Sequence, residues 1–230
     1  KILAKRIKTL LDQYGVPEFL NKRDAFLFKM YQAFGHHFDF IAIPIIKKRL
    51  RMDTSQVIIN EERPQLTKHL ATRFKEKIGQ NVNLLGEVVL GNGEADHRYH
   101  HYLEALESPD INYISVKISG IYAQTHALNY EESFPELVSR MSALYQKAID
   151  FPYTDEDGIK RSKFINLDME EYKDAHFTLR LFKAVLNLPQ FKNYSAGIVV
   201  QAYLPDAYDF QTELLEFAKA RVDGGGAPIK

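Results

Sequence analysis

The sequence predicts an α/β protein of the (β/α)8 TIM-barrel type, with about the first half of the barrel present and a helical region before it. Three observations lead there. After residue 81, four strand-like segments alternate with helix-length segments, a rhythm that makes a parallel sheet through right-handed βαβ units. Each strand-like segment carries one polar side chain in an otherwise apolar centre: Glu87, Lys117, Asp168 and Gln201. The parity of side chains along a strand then sets these residues on one face and the aliphatic residues on the other. A doubly wound sheet, covered by helices on both sides, has no natural place for a row of interior charges. A barrel does, because inward residues near the C-terminal strand ends form the floor of its active site.

Residues 1 to about 80 read as helical. "KILAKRIKTLLDQYG" is amphipathic, with Leu3, Ile7, Leu10, Leu11 and Tyr14 on one face. "PEFLNKRDAFLFKMYQAFG" has apolar residues at helical spacing and stops at Gly35. "FIAIPIIKKRLR" is an apolar run broken by Pro44 and followed by a basic cluster. "ERPQLTKHLATRFKEKIG" is a helix with Pro64 near its start and Gly79 at its end.

Residues 81–230 hold the barrel units. "VNLLGEVVL" (82–90) is the first strand, with Gly86 and Val88 pointing away from Glu87, and a helix follows around 94–107. "YISVKIS" (113–119) is the second; Ile114, Val116 and Ile118 point away from Lys117, and a helix follows around 133–149. "KFINLDME" (163–170) is the third; Ile165, Leu167 and Met169 point away from Asp168, and a helix follows around 175–187. "AGIVVQAYL" (196–204) is the fourth; Val200, Ala202 and Leu204 point away from Gln201, and a helix follows around 209–222. "GGGAPIK" ends where a fifth strand would begin. The chain opens on Lys rather than Met, so residues are expected before it.

Composition removes several function classes. Thirty basic side chains balance thirty acidic ones, so no dedicated nucleic-acid surface is expected. No apolar run approaches the roughly 18 residues of a membrane span. With no cysteine, disulfides and thiolate metal sites are excluded. Glu94, His97 and His101 share a helix face at metal-like spacing, but the helix is hydrophilic and no second ligand cluster is evident, so a solvated face is the better reading and no metal is expected. "TDEDG" (154–158) starts like a calcium loop, lacks the downstream glutamate, and reads as a turn. "GGG" (224–226) precedes a strand rather than a helix and reads as a linker.

A lysine inside a core strand costs stability unless it is paired. Lys117 is therefore a candidate for an imine-forming nucleophile, or for a cation that binds an anionic substrate or tunes a cofactor. In "NLDMEEYKD", the plain reading of Glu170 and Glu171 is as loop and helix-start acids favoured by the helix dipole, and Glu171 is read so. Asp168, inside the strand, is the better functional candidate.

Taken in order, "LLGEVVL", "ISVKIS", "NLDMEEY" and "GIVVQAYLPD" resemble the proline dehydrogenase family. The resemblance is closest to the proline dehydrogenase module of bifunctional bacterial proline utilization A enzymes. "FINLDMEEYKDAHFTLRLFKAVL" and "GIVVQAYLPDAYDFQTELLEFAKAR" carry it, and it covers about residues 60 to 230. The resemblance implies an FAD-dependent (β/α)8 enzyme that oxidises L-proline to Δ1-pyrroline-5-carboxylate, in proline catabolism to glutamate, and passes electrons to a quinone. It implies that Lys117 lies beside the flavin and the substrate carboxylate, and that Asp168 lies under the flavin and substrate site. It also implies that Gln201 hydrogen-bonds the isoalloxazine, that Val199 and Met169 line the ring, and that Glu87 supports the Asp168 and Lys117 cluster. It further implies a fused aldehyde dehydrogenase domain, a homo-oligomer, and a cytoplasmic protein peripherally associated with the inner face of the bacterial membrane. The family's strand-five arginine and later paired arginines lie outside this sequence, so the 230 residues alone are expected to be inactive. Two other readings stay open on the residues: an aldolase-type barrel forming an imine at Lys117, and a non-catalytic α/β interaction domain.

Overall fold

The structure, a computed structural model, describes residues 2–18, 20–34, 39–54, 58–59, 63–84, 91–123 and 129–230. The chain divides into two compact units, Lys1–Leu66 and Thr67–Lys230.

The first unit holds helices α1 (Ile2–Tyr14), α2 (Lys22–Phe34) and α3 (Asp39–Thr54). Gly15, at φ 75°, ends α1 in the left-handed conformation that glycine adopts at little steric cost. Asn21 caps α2: its side-chain oxygen accepts the Asp24 backbone N–H at 2.9 Å. Leu11 and Tyr31 are buried, and the Gln32 amide donates to the Leu11 carbonyl at 2.8 Å. Pro44 does not break the third helix, which runs through it. The proline sits in the second turn, so the single backbone bond that it forfeits is close to the helix start. Helix α4 (Arg63–Lys75) follows. It stops before Gly79 because Lys77 takes the left-handed turn itself, at φ 59°, with Ile78 N–H bonding back to the Arg73 carbonyl at 3.0 Å.

The second unit is built on a four-stranded sheet of β1 (Val82–Asn83), β2 (Tyr113–Lys117), β5 (Phe164–Asp168) and β6 (Gly197–Ile198). These strands are all parallel and lie in chain order. Helix α5 (Asn92–Glu107) connects β1 to β2. The short α6 (Ile118–Ile121) and long α7 (Tyr130–Asp150) connect β2 to β5, and α8 (Ala175–Leu186) connects β5 to β6. Helix α9 (Ala207–Asp223) follows β6. A strand order that never reverses is that of a (β/α)8 barrel; a doubly wound sheet reverses at its switch point. The apolar parity sits against helices: Ile114, Val116, Ile165 and Leu167 are at most 1% exposed, as are Leu106, Leu137, Leu144, Leu181 and Val185.

The start of a fifth strand is present in the backbone. Lys230 N–H donates to the Ala196 carbonyl at 3.1 Å, and Ile198 N–H donates to the Lys230 carbonyl at 3.0 Å. That alternation is the bonding of a parallel neighbour. "TDEDG" forms the turn of a hairpin, β3 (Tyr153–Thr154) with β4 (Lys160–Arg161). Gly158 takes φ 79°, and Asp155 accepts the backbone N–H groups of Asp157 and Ile159. "GGG" finishes α9, with Gly225 at φ 75°. Among the described residues no helix is long and apolar enough to cross a membrane.

Lys163, just before β5, is 2% exposed. Its ammonium donates to the Ser108 carbonyl, and burial pushes its pKa down to about 8, against a smaller upward pull from Asp110. The unfolded chain therefore binds more protons than the folded chain between about pH 8 and the ordinary lysine value. The cost of burying the charge is fully present below pH 8 and is relieved as pH rises through that window. Lys163→Met should accordingly stabilise the protein at pH 7 relative to wild type. That advantage should shrink by on the order of 1–3 kcal/mol at pH 10.5. Urea denaturation of both proteins at the two pH values measures this, and an advantage independent of pH contradicts it.

Candidate active site at the C-terminal strand ends

The inward parity of the sheet forms three layers. Tyr113 and Phe164 pair across β2 and β5 at the N-terminal end, their rings edge to face with centroids 5.0 Å apart. The Lys230 ammonium lies 5.3 and 5.9 Å from these two ring centroids. The middle layer is Asn83, Ser115, Asn166 and Gly197, which are register partners from strand to strand. Gly197 leaves room there: a Cβ at that position would fall 2.5 Å from Asn166 Oδ1 and 2.9 Å from Phe164 Cε1. Above them, at the C-terminal ends, Lys117 and Asp168 are paired in register.

Asp168 is held by neutral donors. Its Oδ1 accepts from the Ser115 hydroxyl at 3.1 Å and from the Asn166 amide at 2.8 Å. Its Oδ2 accepts from the Asn83 amide at 3.2 Å. Ser115, 1% exposed, in turn accepts from the Asn81 amide at 2.9 Å. The carboxylate is thus fixed by a hydrogen-bonded network spanning three strands, in the manner of a side chain oriented for a ligand.

The partner of Lys117 is Glu170, not Asp168: Nζ lies 3.0 Å from Glu170 Oε1. Both side chains are about one-third exposed, at 28% and 32%, so the pair faces the open end of the sheet. The other Glu170 oxygen accepts the Ser119 hydroxyl. The Gln201 side-chain amide donates to the Glu170 backbone carbonyl at 3.0 Å. Tyr102 on α5 is 1% exposed, and burial pushes its pKa up to about 12.

Strand two ends at Lys117, and Ile118–Ile121 turns helical, so Ser119 swings toward Glu170 rather than continuing the strand. Gln201 lies beyond β6, where Leu204 N–H closes a turn onto the Gln201 carbonyl at 3.0 Å. Val199 extends the pairing, its N–H bonding to the Leu167 carbonyl at 3.0 Å, and it is 39% exposed. Met169 is 6% exposed, next to Asp168 and of the opposite parity. Glu87 lies outside the described residues.

Lys117, Asp168 and Gln201 therefore converge, and Val199 stands beside them. Reading strands by one conspicuous polar residue each misses Ser115 and Asn166, although both sit two positions below a candidate on the same face. It also misses Asn83 and gives Glu170 no role in the site. On α5, the His97 and His101 rings lie 4.4 Å apart between centroids. Among the described residues no cluster of three His, Cys, Asp or Glu side chains could hold a metal ion.

Comparison with known proteins gives consistent results. The family model described as proline dehydrogenase matches residues 66–230. Among solved structures, proline utilization A from Corynebacterium freiburgense is 33% identical at a TM-score of 0.70, covering 99% of this chain and 20% of that one. Proline utilization A from Bdellovibrio bacteriovorus, inactivated by N-propargylglycine, is 28% identical at a TM-score of 0.64, covering 79% and 20%. A mutant of the Bradyrhizobium japonicum protein, at 24% identity and a TM-score of 0.52, is similar in fold over 61% of this chain. The chain thus spans about a fifth of the length of the first two. None of the curated proteins matches it.

Proposed function

The chain belongs to the proline dehydrogenase family, and on that premise we propose that it forms part of an FAD-dependent enzyme that oxidises L-proline to Δ1-pyrroline-5-carboxylate, in proline catabolism to glutamate. The observation that carries the reading is the pairing in register of Lys117 with Asp168 at the C-terminal strand ends, with the Gln201 amide beside them.

The family is generally one of flavoenzymes, and the residues here fit a flavin by their chemistry. An isoalloxazine ring needs an apolar surface for its rings and polar partners for its carbonyl and N–H edges. Val199 supplies exposed aliphatic surface at an otherwise polar site. Gln201 supplies an amide able to donate and accept, Lys117 a cation, and Asp168 a fixed acceptor. The family resemblance adds Met169 to the ring-lining set, although its side chain is buried on the opposite parity from Asp168, and adds Glu87 as the carboxylate supporting the Asp168 and Lys117 cluster. A bound flavin supplies the acceptor for the hydride lost from the proline carbon next to nitrogen.

The roles of the side chains follow from charge and position. Lys117 attracts the substrate carboxylate and favours the negative charge that develops on the cofactor. Asp168, held still by Asn83, Ser115 and Asn166, accepts from the substrate nitrogen and orients the ring carbon. A quinone as the final electron acceptor, a fused aldehyde dehydrogenase domain, a homo-oligomeric parent and a cytoplasmic site at the membrane's inner face belong to the same proposal.

The ion pair argues against the aldolase alternative. An amine that attacks a carbonyl must be aimed at that carbon, whereas Lys117 Nζ is directed into an ion pair with Glu170 at 3.0 Å. The test is whether L-proline bleaches the bound flavin of the full-length protein in the absence of oxygen. A flavin-free protein, or a band that L-proline leaves unchanged, overturns the reading.

A further inference from the structure

The geometry points to Glu170 as the positioning residue of this site: its carboxylate aims Lys117 and ties it to Ser119, while its backbone carbonyl takes the Gln201 amide. The inference rests on the reading just given.

Three bonds meet at this residue. Oε1 takes the Lys117 ammonium at 3.0 Å, and Oε2 takes the Ser119 hydroxyl. The backbone carbonyl takes the Gln201 amide at 3.0 Å. The first two partners come from the end of β2 and the turn after it, the third from the loop after β6, and Glu170 itself follows β5. No other described residue bonds to both Lys117 and Gln201, the cation and the amide assigned to the cofactor. Asp168 pairs with Lys117 in register, yet its carboxylate is turned to Ser115, Asn166 and Asn83, and the Lys117 ammonium is paired with Glu170. The orientation of the Lys117 head group is left to Glu170.

A lysine side chain has four rotatable bonds and a head group with no directional fork. Left alone at 28% exposure, it would sample several rotamers in solvent. Bridging it to a carboxylate that is itself tied to Ser119 removes that freedom before substrate arrives. Loss of such positioning weakens catalysis without removing the cation. Glu170 therefore acts through Lys117, and its contribution should vanish when Lys117 is absent.

The experiment is a double-mutant cycle on the full-length flavoprotein, read as the first-order rate of flavin reduction by saturating L-proline under anaerobic conditions. Glu170→Ala should slow reduction roughly 10- to 100-fold. Added to Lys117→Ala, the same change should alter the rate by no more than about twofold, because nothing remains to be aimed. If Glu170→Ala does not fold, Glu170→Gln, which keeps the volume and removes the charge, is read by the same criterion of non-additivity. A Glu170 variant that reduces at the wild-type rate overturns the inference. So does a loss of equal size with and without Lys117, which marks a structural role. A wild-type protein whose flavin L-proline does not reduce overturns the underlying reading instead, so the two failures are distinguishable.

Discussion

Replacing Lys117 with alanine in the full-length protein slows flavin reduction by L-proline by roughly 10²- to 10³-fold, with most of the flavin retained. The size follows from what is removed. Lys117 is the cation at the open end of the inward face, and a fixed charge directed at developing charge is worth about this much when a single such group is deleted. Retention follows because Asp168, Gln201 and Val199 are anchored independently, by the Ser115–Asn166–Asn83 network, the Glu170 carbonyl and β5 pairing respectively. Lys117→Arg keeps the charge but presents a planar fork in place of a compact head group, so it recovers only part of the rate. Stopped-flow reduction separates these outcomes, and a Lys117→Ala protein that reduces at the wild-type rate removes Lys117 from the site.

The largest expected effect on stability lies far from that chemistry, at Arg221 near the end of α9. Its guanidinium donates to five backbone carbonyls: Ala227 at 2.8 Å, Leu186 at 2.6 Å, Phe191 at 2.6 Å, Lys192 at 2.9 Å and Tyr194 at 3.0 Å. These belong to the end of α8, the turn between α8 and β6, and the segment after α9. One side chain therefore fixes the entry to β6 and the approach of the fifth strand. The glycines fit around it, since a Cβ on Gly226 would fall 2.9 Å from Arg221 Cγ and 3.0 Å from its carbonyl. Burial pulls the guanidinium's pKa down, which marks the desolvation that these bonds offset. Lysine cannot reach five acceptors from one nitrogen, so Arg221→Lys leaves carbonyls unmet at a cost of about 2–4 kcal/mol. The midpoint and slope of urea denaturation measure it. A change below about 0.5 kcal/mol contradicts the assignment.

Much of the barrel was legible because parallel β/α units repeat a pattern. Alternation along a strand separates the two faces, and Lys117 and Asp168 marked the inward one. The structure bears this out in the pairing of Lys117 with Asp168 and in the burial of Ile114, Val116, Ile165 and Leu167. The elements that escaped are those without periodicity. Glu170 lies past the end of β5, where the direction of a side chain depends on the turn and not on parity. Arg221 is bound to backbone carbonyls, which leave no mark in the sequence of their owners. Lys163 opens the segment read as the third strand, and its burial depends on partners distant in sequence, the Ser108 carbonyl after α5 and the Ala148 carbonyl of α7. The hairpin of β3 and β4 is two residues per strand, too short to show alternation.

The central claim is that this strand-end face belongs to an enzyme that takes a hydride from L-proline. It is tested most directly by mixing the full-length flavoprotein anaerobically with L-proline in a single turnover. The visible flavin band should bleach at a rate that saturates with L-proline concentration, and D-proline should leave it unchanged. A flavin band untouched by L-proline at any concentration would contradict the assignment.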